Sequence, residues 1–270
     1  MFSVLPGPFP QRIPLDVVHD IINQLHDDLP ALKSCSLVCW EWLPICRRYL
    51  LVDIPCSRHR LPEFFDLLTK PSSSFSKYTR RLFIHGNYIL APADPSEYPQ
   101  LQITSLFLYD IEAECILANL PSIFSVVAFL ELYKVDRLTL ADLARMFCSF
   151  PCLQTFSFND VLRRGKEYEK PESNLVLPMN LQSMNVCCKE LTTFLDWFLS
   201  RKNIPQLTTL RLHGVERSDI EAITRLLQVI GNSLEHLELG LRYFQYFIKE
   251  DLFREHFSSL FQSASNPHLI

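Results

Sequence analysis

The chain has 270 residues, of which 48% are hydrophobic, and a net charge of −4 at pH 7. That is enough apolar material for a substantial core, without the basic excess of a nucleic-acid binder or a long acidic arm. The start, MFSVLPGPFPQR, lacks the charged and apolar regions of a secretory signal, and no apolar run is long enough to span a bilayer. The expectation is therefore a soluble intracellular protein, cytoplasmic and/or nuclear, with neither nucleic acid nor membrane as partner and with its nine cysteines mostly reduced.

The first 55 residues read as short helices. IPLDVVHDIINQL (13–25) places Val17, Ile21 and Leu25 at helical spacing, with Pro14 near the start, where a missing N–H costs least. Asp27 or Asp28 can cap a second helix running through Leu29, Leu32 and Cys35 and stopping near Cys39. Pro44 cannot lie deep in a helix, so a third begins around Glu41, with Trp42, Ile45 and Tyr49 on one face and Arg47 and Arg48 turned away. This spacing predicts an apolar seam of Cys35, Val38 and Trp42, with Trp40 at the edge or exposed. Three helices in so short a segment bury little surface and need something to dock on. Cys35, Cys39, Cys46 and Cys56 lack the paired C-x-x-C spacing of a structural zinc site, so no metal or other cofactor is expected and packing explains them.

Next, HRLPEFFDLLTKPSSSFSKY (59–78) contains an amphipathic helix offering Leu61, Phe64, Phe65 and Leu68, then a Pro/Ser-rich break. This stretch, 56–78, is read as a linker with a capping helix.

From residue 79 an apolar-x-x-apolar-x-apolar template recurs as TRRLFI (79–84), ITSLFL (103–108), VAFLEL (127–132), LQTFSF (153–158), LQSMNV (181–186), LTTLRL (207–212) and LEHLEL (234–239). Its middle apolar residues are Leu82, Leu106, Leu130, Phe156, Met184, Leu210 and Leu237, spaced 24 to 28 residues apart. That period lies in the range of leucine-rich repeats, each a short strand with a return path that is often helical. The clearest return helix is ERSDIEAITRLLQVIG (216–231), with Asp219 as cap, Ile220, Ile223, Leu227 and Ile230 as its stripe, and Gly231 at its end. The insert RRGKEYEKPESN (163–174) is expected as a surface loop, and LRYFQYFIKEDLFREHFSSLF (241–261) as a C-terminal cap to a solenoid spanning 79–262. With six glycines and neither G-x-G-x-x-G nor G-x-x-x-x-G-K, the chain offers no phosphate-cradling loop.

The N-terminal residues resemble an F-box over about 11–55. The resemblance rests on Ile13–Pro14, Asp16, the helical series Val17, Ile21 and Leu25, and the closing Val38–Cys39–Trp40–Glu41–Trp42. VCWEWLPICRRYLL is similar to fungal F-box proteins, many of which continue into degenerate leucine-rich repeats. Ile13 replaces the commoner Leu, and Trp40 stands where a polar residue is usual. The fold this implies is mixed α/β: a small three-helix F-box followed by an irregular leucine-rich-repeat solenoid of about seven units. The function it implies is that of a substrate receptor of a cullin–RING ubiquitin ligase. The F-box would bind a Skp-type adaptor through Ile13, Pro14, Val17, Ile21, Leu25, Val38 and Trp42, and the repeats would bind a protein target. A scaffold with a non-degradative role remains an alternative, separable by whether cullin co-purifies.

No catalytic residue is expected. His19 with Asp20 and Cys35 could form a Cys–His site, but His19 beside acidic residues on a helix reads as solvated, and Cys148/Cys152 and Cys187/Cys188 read as packing residues or exposed thiols. If the template residues face the core, alternate residues line the concave side of the repeats: Phe83, Phe107, Glu131, Ser157, Asn185, Arg211 and Glu238 in one column, and His85, Tyr109, Tyr133, Asn159, Cys187, His213 and Gly240 in the next. Aromatics with a polar rim suit protein binding, which makes Phe107, Tyr109, Glu131, Tyr133 and Arg211 the expected target-binding residues.

Overall fold

The computed structural model describes residues 13–57, 59–70, 73–86, 101–112, 123–135, 138–159, 171–172 and 174–241. The chain divides into two compact units, Met1–Asp53 and Ile54–Ile270.

The first unit holds α1 (Leu15–Gln24), α2 (Leu29–Ser36) and α3 (Leu43–Leu50). Pro14 is the N-cap of α1, and Pro30 and Pro44 sit in the first turns of α2 and α3, where a missing N–H leaves no helical bond unmade. Asp28 caps α2 by accepting from the Ala31 N–H at 3.0 Å. Val18, Ile22, Leu32, Ile45 and Cys46 form the core, with Leu25, Cys35, Trp42, Tyr49 and Leu50 packed against it. The Tyr49 hydroxyl donates to the Asn23 side-chain oxygen, tying α3 to α1. Val38 departs from the expected seam: α2 ends at Ser36, before it, and Val38 is 62% exposed while Cys35 and Trp42 turn inward.

The second unit is built on one sheet whose strand order is strictly sequential: β1 (Asp53–Ser57), β2 (Arg81–His85), β3 (Ser105–Tyr109), β4 (Phe129–Tyr133), β5 (Thr155–Asn159), β6 (Ser183–Cys187), β7 (Thr209–Val215) and β8 (His236–Leu241). Every pairing from β2 to β8 is parallel, and β8 does not return to β1, so the sheet is open. The seven middle residues of the template, Leu82 to Leu237, are partners in a single unbroken row. Strand β1 lies beside β2 in a segment without the template; Pro55 within it suits a sheet edge, where a ladder donor is not needed.

One carbonyl per repeat sets the entry to the next strand. Arg80 O accepts from Thr104 and Ser105, Thr104 O from Ala128 and Phe129, Ala128 O from Gln154 and Thr155, Gln154 O from Gln182 and Ser183, Gln182 O from Thr208 and Thr209, and Thr208 O from Glu235 and His236. At the exit, the residue after the strand takes positive φ at Gly86, Asp110 and Lys134, and Gly214 does so within the longer β7. Asp110 and Lys134 adopt this left-handed backbone without being glycine, and their N–H groups donate to Tyr133 O and Asn159 O of the following strand.

Helices α4 (Leu61–Thr69) and α5 (Ser74–Tyr78) precede β2, and Leu61, Phe64, Phe65 and Leu68 are all buried. Among the described residues, three return paths carry α6 (Leu140–Cys148), α7 (Leu191–Leu199) and α8 (Ile220–Ile230). Their apolar stripes pack on the sheet; Phe147 meets Phe156 edge-on at 4.8 Å. Asp219 does not cap its own helix α8. Buried, it accepts at Oδ1 from the Thr192 N–H (3.2 Å) and hydroxyl (2.6 Å), and at Oδ2 from the Glu216 N–H (2.8 Å). It thereby caps α7 of the preceding repeat, whose own N-cap, Glu190, makes no such bond. The expected C-terminal cap, apart from Leu241, and most of the 163–174 insert lie outside the described residues.

Candidate functional site

In the first unit the helical phase decides what is presented. Val18 and Ile22 are buried, so Val17 and Ile21, one residue earlier, must face out, and each is more than two-fifths exposed. With them Ile13, Leu15, Leu29, Leu37, Val38 and Trp40 are exposed, the last two on the irregular stretch between α2 and α3. Eight of the thirteen large hydrophobics exposed among the described residues therefore lie in this unit, most of them outside any helix's buried stripe. Trp40 is 86% exposed, the edge position expected from its two-residue offset to Trp42. Of the seven residues expected to bind an adaptor, Ile13, Pro14, Val17, Ile21 and Val38 are at the surface. Leu25 and Trp42, at the end of α1 and the start of α3, are partly buried, packed against the unit's own core. Leu15 and Leu37 are exposed apolar residues that the helical template did not single out, and Leu29, expected on the stripe of the second helix, is exposed as well.

In the second unit the sheet buries template residues on one face and presents the alternate columns on the other. Phe83 and Phe107 stack at 4.3 Å with planes 10° apart, and Phe129 joins Phe107 at 5.0 Å. Phe129 opens β4, in the column beside the two already identified, and alternation along that strand points to it. Tyr109 and Tyr133, adjacent in register, have ring centres 6.0 Å apart. The Tyr109 hydroxyl donates to Glu131 Oε1 at 3.0 Å. Burial, that hydrogen bond and the Glu131 charge together push the Tyr109 hydroxyl up to about 12, so it remains a donor at neutral pH. The five aromatics and Glu131 thus occupy three neighbouring strands.

Arg211 does not join them. It stands on β7, four strands from Phe107 on β3, about 19 Å away at the usual strand spacing. There it pairs with Glu238 at 3.2 Å, and His213 approaches the same carboxylate at 3.9 Å. Between the two groups lie polar Ser157 and Asn185, joined at 3.3 Å. The face is therefore graded from aromatic through neutral polar to ion-paired.

No group of three His, Cys, Asp or Glu residues among the described ones is arranged to hold a metal ion. The described cysteines are all free thiols; burial raises Cys46, Cys56, Cys148 and Cys188 above their ordinary value, the last two to about 12. No helix among the described residues is long and apolar enough to cross a membrane. Comparison with known proteins finds no protein-family model that matches the chain and no curated protein that matches it.

Proposed function

We propose that the chain is a non-catalytic substrate receptor: an F-box unit that binds a Skp-type adaptor of a cullin–RING ubiquitin ligase, and a leucine-rich-repeat solenoid that binds a protein target. The observation that carries this reading is the placement of exposed apolar side chains. The three-helix unit spends its small core on five buried residues and leaves Ile13, Leu15, Val17, Ile21, Leu29, Leu37, Val38 and Trp40 uncovered, as a surface meant for another protein would. The sequential open sheet supports the second half of the reading. A doubly wound sheet reverses its strand order and binds small ligands at that switch point, and this sheet has no reversal. What it offers is an extended face with clustered aromatics and a polar remainder, suited to a protein partner. The receptor's contribution to ubiquitin transfer would be proximity and orientation alone.

Paired capture tests both halves. Ile21→Asp with Val38→Asp, both at exposed positions, should abolish co-purification of the adaptor and of cullin while leaving the circular dichroism unchanged. Phe107→Ala with Tyr109→Ala and Tyr133→Ala should release the target and keep the adaptor. A folded Ile21/Val38 variant that still retains the adaptor refutes the F-box assignment.

A further inference from the structure

We infer that the aromatic end of the sheet face takes a cationic side chain of the target, an arginine, seated on Glu131 between the rings. The inference rests on the reading of this face as the target-binding face. Its starting point is a contrast among carboxylates. Asp110 is paired with His85 at 3.2 Å, and Glu238 with Arg211 at 3.2 Å. Glu131 has no cation among the described residues; its partner is the uncharged Tyr109 hydroxyl, on one oxygen.

Glu131 is also half-buried, whereas Arg211 and Glu238, the other charged residues of its row, are exposed. Its register neighbour on β3 is Phe107, and Phe129 and Tyr133 flank it on its own strand, on the same face. A carboxylate among rings, partly withdrawn from water and without a counter-charge, is costly, and a cation brought by a partner recovers that cost. The rings add to the attraction, since a cation over an aromatic face is favoured by the ring's quadrupole. A cation already sits at the border of this patch: Lys134 Nζ lies 5.4 Å from the Tyr133 ring centre, on the ring and not on Glu131. Arginine fits better than lysine, because its planar guanidinium stacks on rings while donating two parallel hydrogen bonds to one carboxylate. Tyr109 holds Oε1 in place with one hydrogen bond, and a carboxylate oxygen can accept a second, so both oxygens can receive the incoming fork. Phe83 and Phe107, stacked beyond Glu131, would receive an apolar neighbour of that arginine.

A phage-displayed library of random peptides, panned on the immobilised full-length chain, supplies the probe. The captured peptides should be rich in arginine beside an apolar residue. By fluorescence anisotropy, each should bind about tenfold tighter than its counterpart with citrulline, the uncharged isostere, in place of arginine. Glu131→Gln should erase that preference, whereas Glu238→Gln, at a carboxylate that already has its cation, should leave it. Peptides that need Phe107, Tyr109 and Tyr133 but tolerate citrulline would overturn the arginine inference and leave the binding face standing. Capture of no peptide, or of peptides indifferent to the triple alanine variant, would overturn both.

Discussion

The two units solve opposite problems with similar residues. Among the described residues, the second unit buries 47 in one continuous cluster, and the first buries five. Both are rich in Leu, Ile and Val, yet the first leaves eight large hydrophobics at its surface while the far larger second leaves five among its described residues. A repeat whose neighbours supply its walls can close its core by stacking. Three short helices have no neighbour of their own kind, so the apolar residues their core cannot absorb stay outside. The contrast teaches that a unit this small leaves apolar side chains exposed partly because of its size.

Truncating one core side chain in each unit gives the largest expected effects and tests that contrast directly. Phe156→Ala in the second unit, at a fully buried ring packed on Phe147, should cost about 3–5 kcal/mol and lower that unit's melting temperature by roughly 10 °C. Ile22→Ala should cost about 2–5 kcal/mol, comparable to the whole stability of so small a unit, and unfold it outright. Ile21→Ala, one residue away and 41% exposed, should change stability by less than about 0.5 kcal/mol. Calorimetry and the amide spectrum of the helical unit measure all three. Equal losses at Ile21 and Ile22 would mean that the surface residue is structural.

A middle-sized effect sharpens the claim that stacking holds the second unit together. Asp219→Ala removes an acceptor shared by the Thr192 N–H and hydroxyl of one repeat and the Glu216 N–H of the next. The expected loss is about 1–3 kcal/mol. Hydrogen exchange should quicken first at the start of α7, which lies in the other repeat; quickening confined to α8 would show that Asp219 serves only its own helix.

The smallest effects concern the thiols. Exposed Cys39 and Cys152 should react with a thiol reagent within the native state, and Cys46, Cys56 and Cys188 only upon unfolding. Burial raises the thiols of Cys56, Cys148 and Cys188 from 9.0 to about 11 or 12. The folded chain thus keeps protons that the unfolded chain releases, and the stability this contributes is complete below pH 9 and lost as pH rises through 11 to 12. A urea titration series from pH 8 upward would reveal the slope, and fast labelling of Cys188 at pH 8 would contradict its burial.

By itself the sequence determined the repeat. Seven template segments at 24 to 28 residue intervals became seven adjacent strands with their middle residues in one row, because a period-two strand pattern allows one register without exposing its apolar face. It also determined the helix starts near Pro14, after the Asp28 cap and at Pro44, and Trp40's place at the edge or exposed, since these follow from local backbone chemistry. Only the tertiary structure decided which helical stripe is core. Val17–Ile21–Leu25 and Val18–Ile22 are both apolar at helical spacing, and the choice between them depends on where α2 and α3 pack, which also drew Leu25 and Trp42 inward. Strand β1 was likewise hidden, because an edge strand with a proline carries no template and is held by its neighbour. The separation of Arg211 from the aromatics, and the lack of a cation on Glu131 among the described residues, arise from strand order and from partners distant in sequence, which no local pattern records.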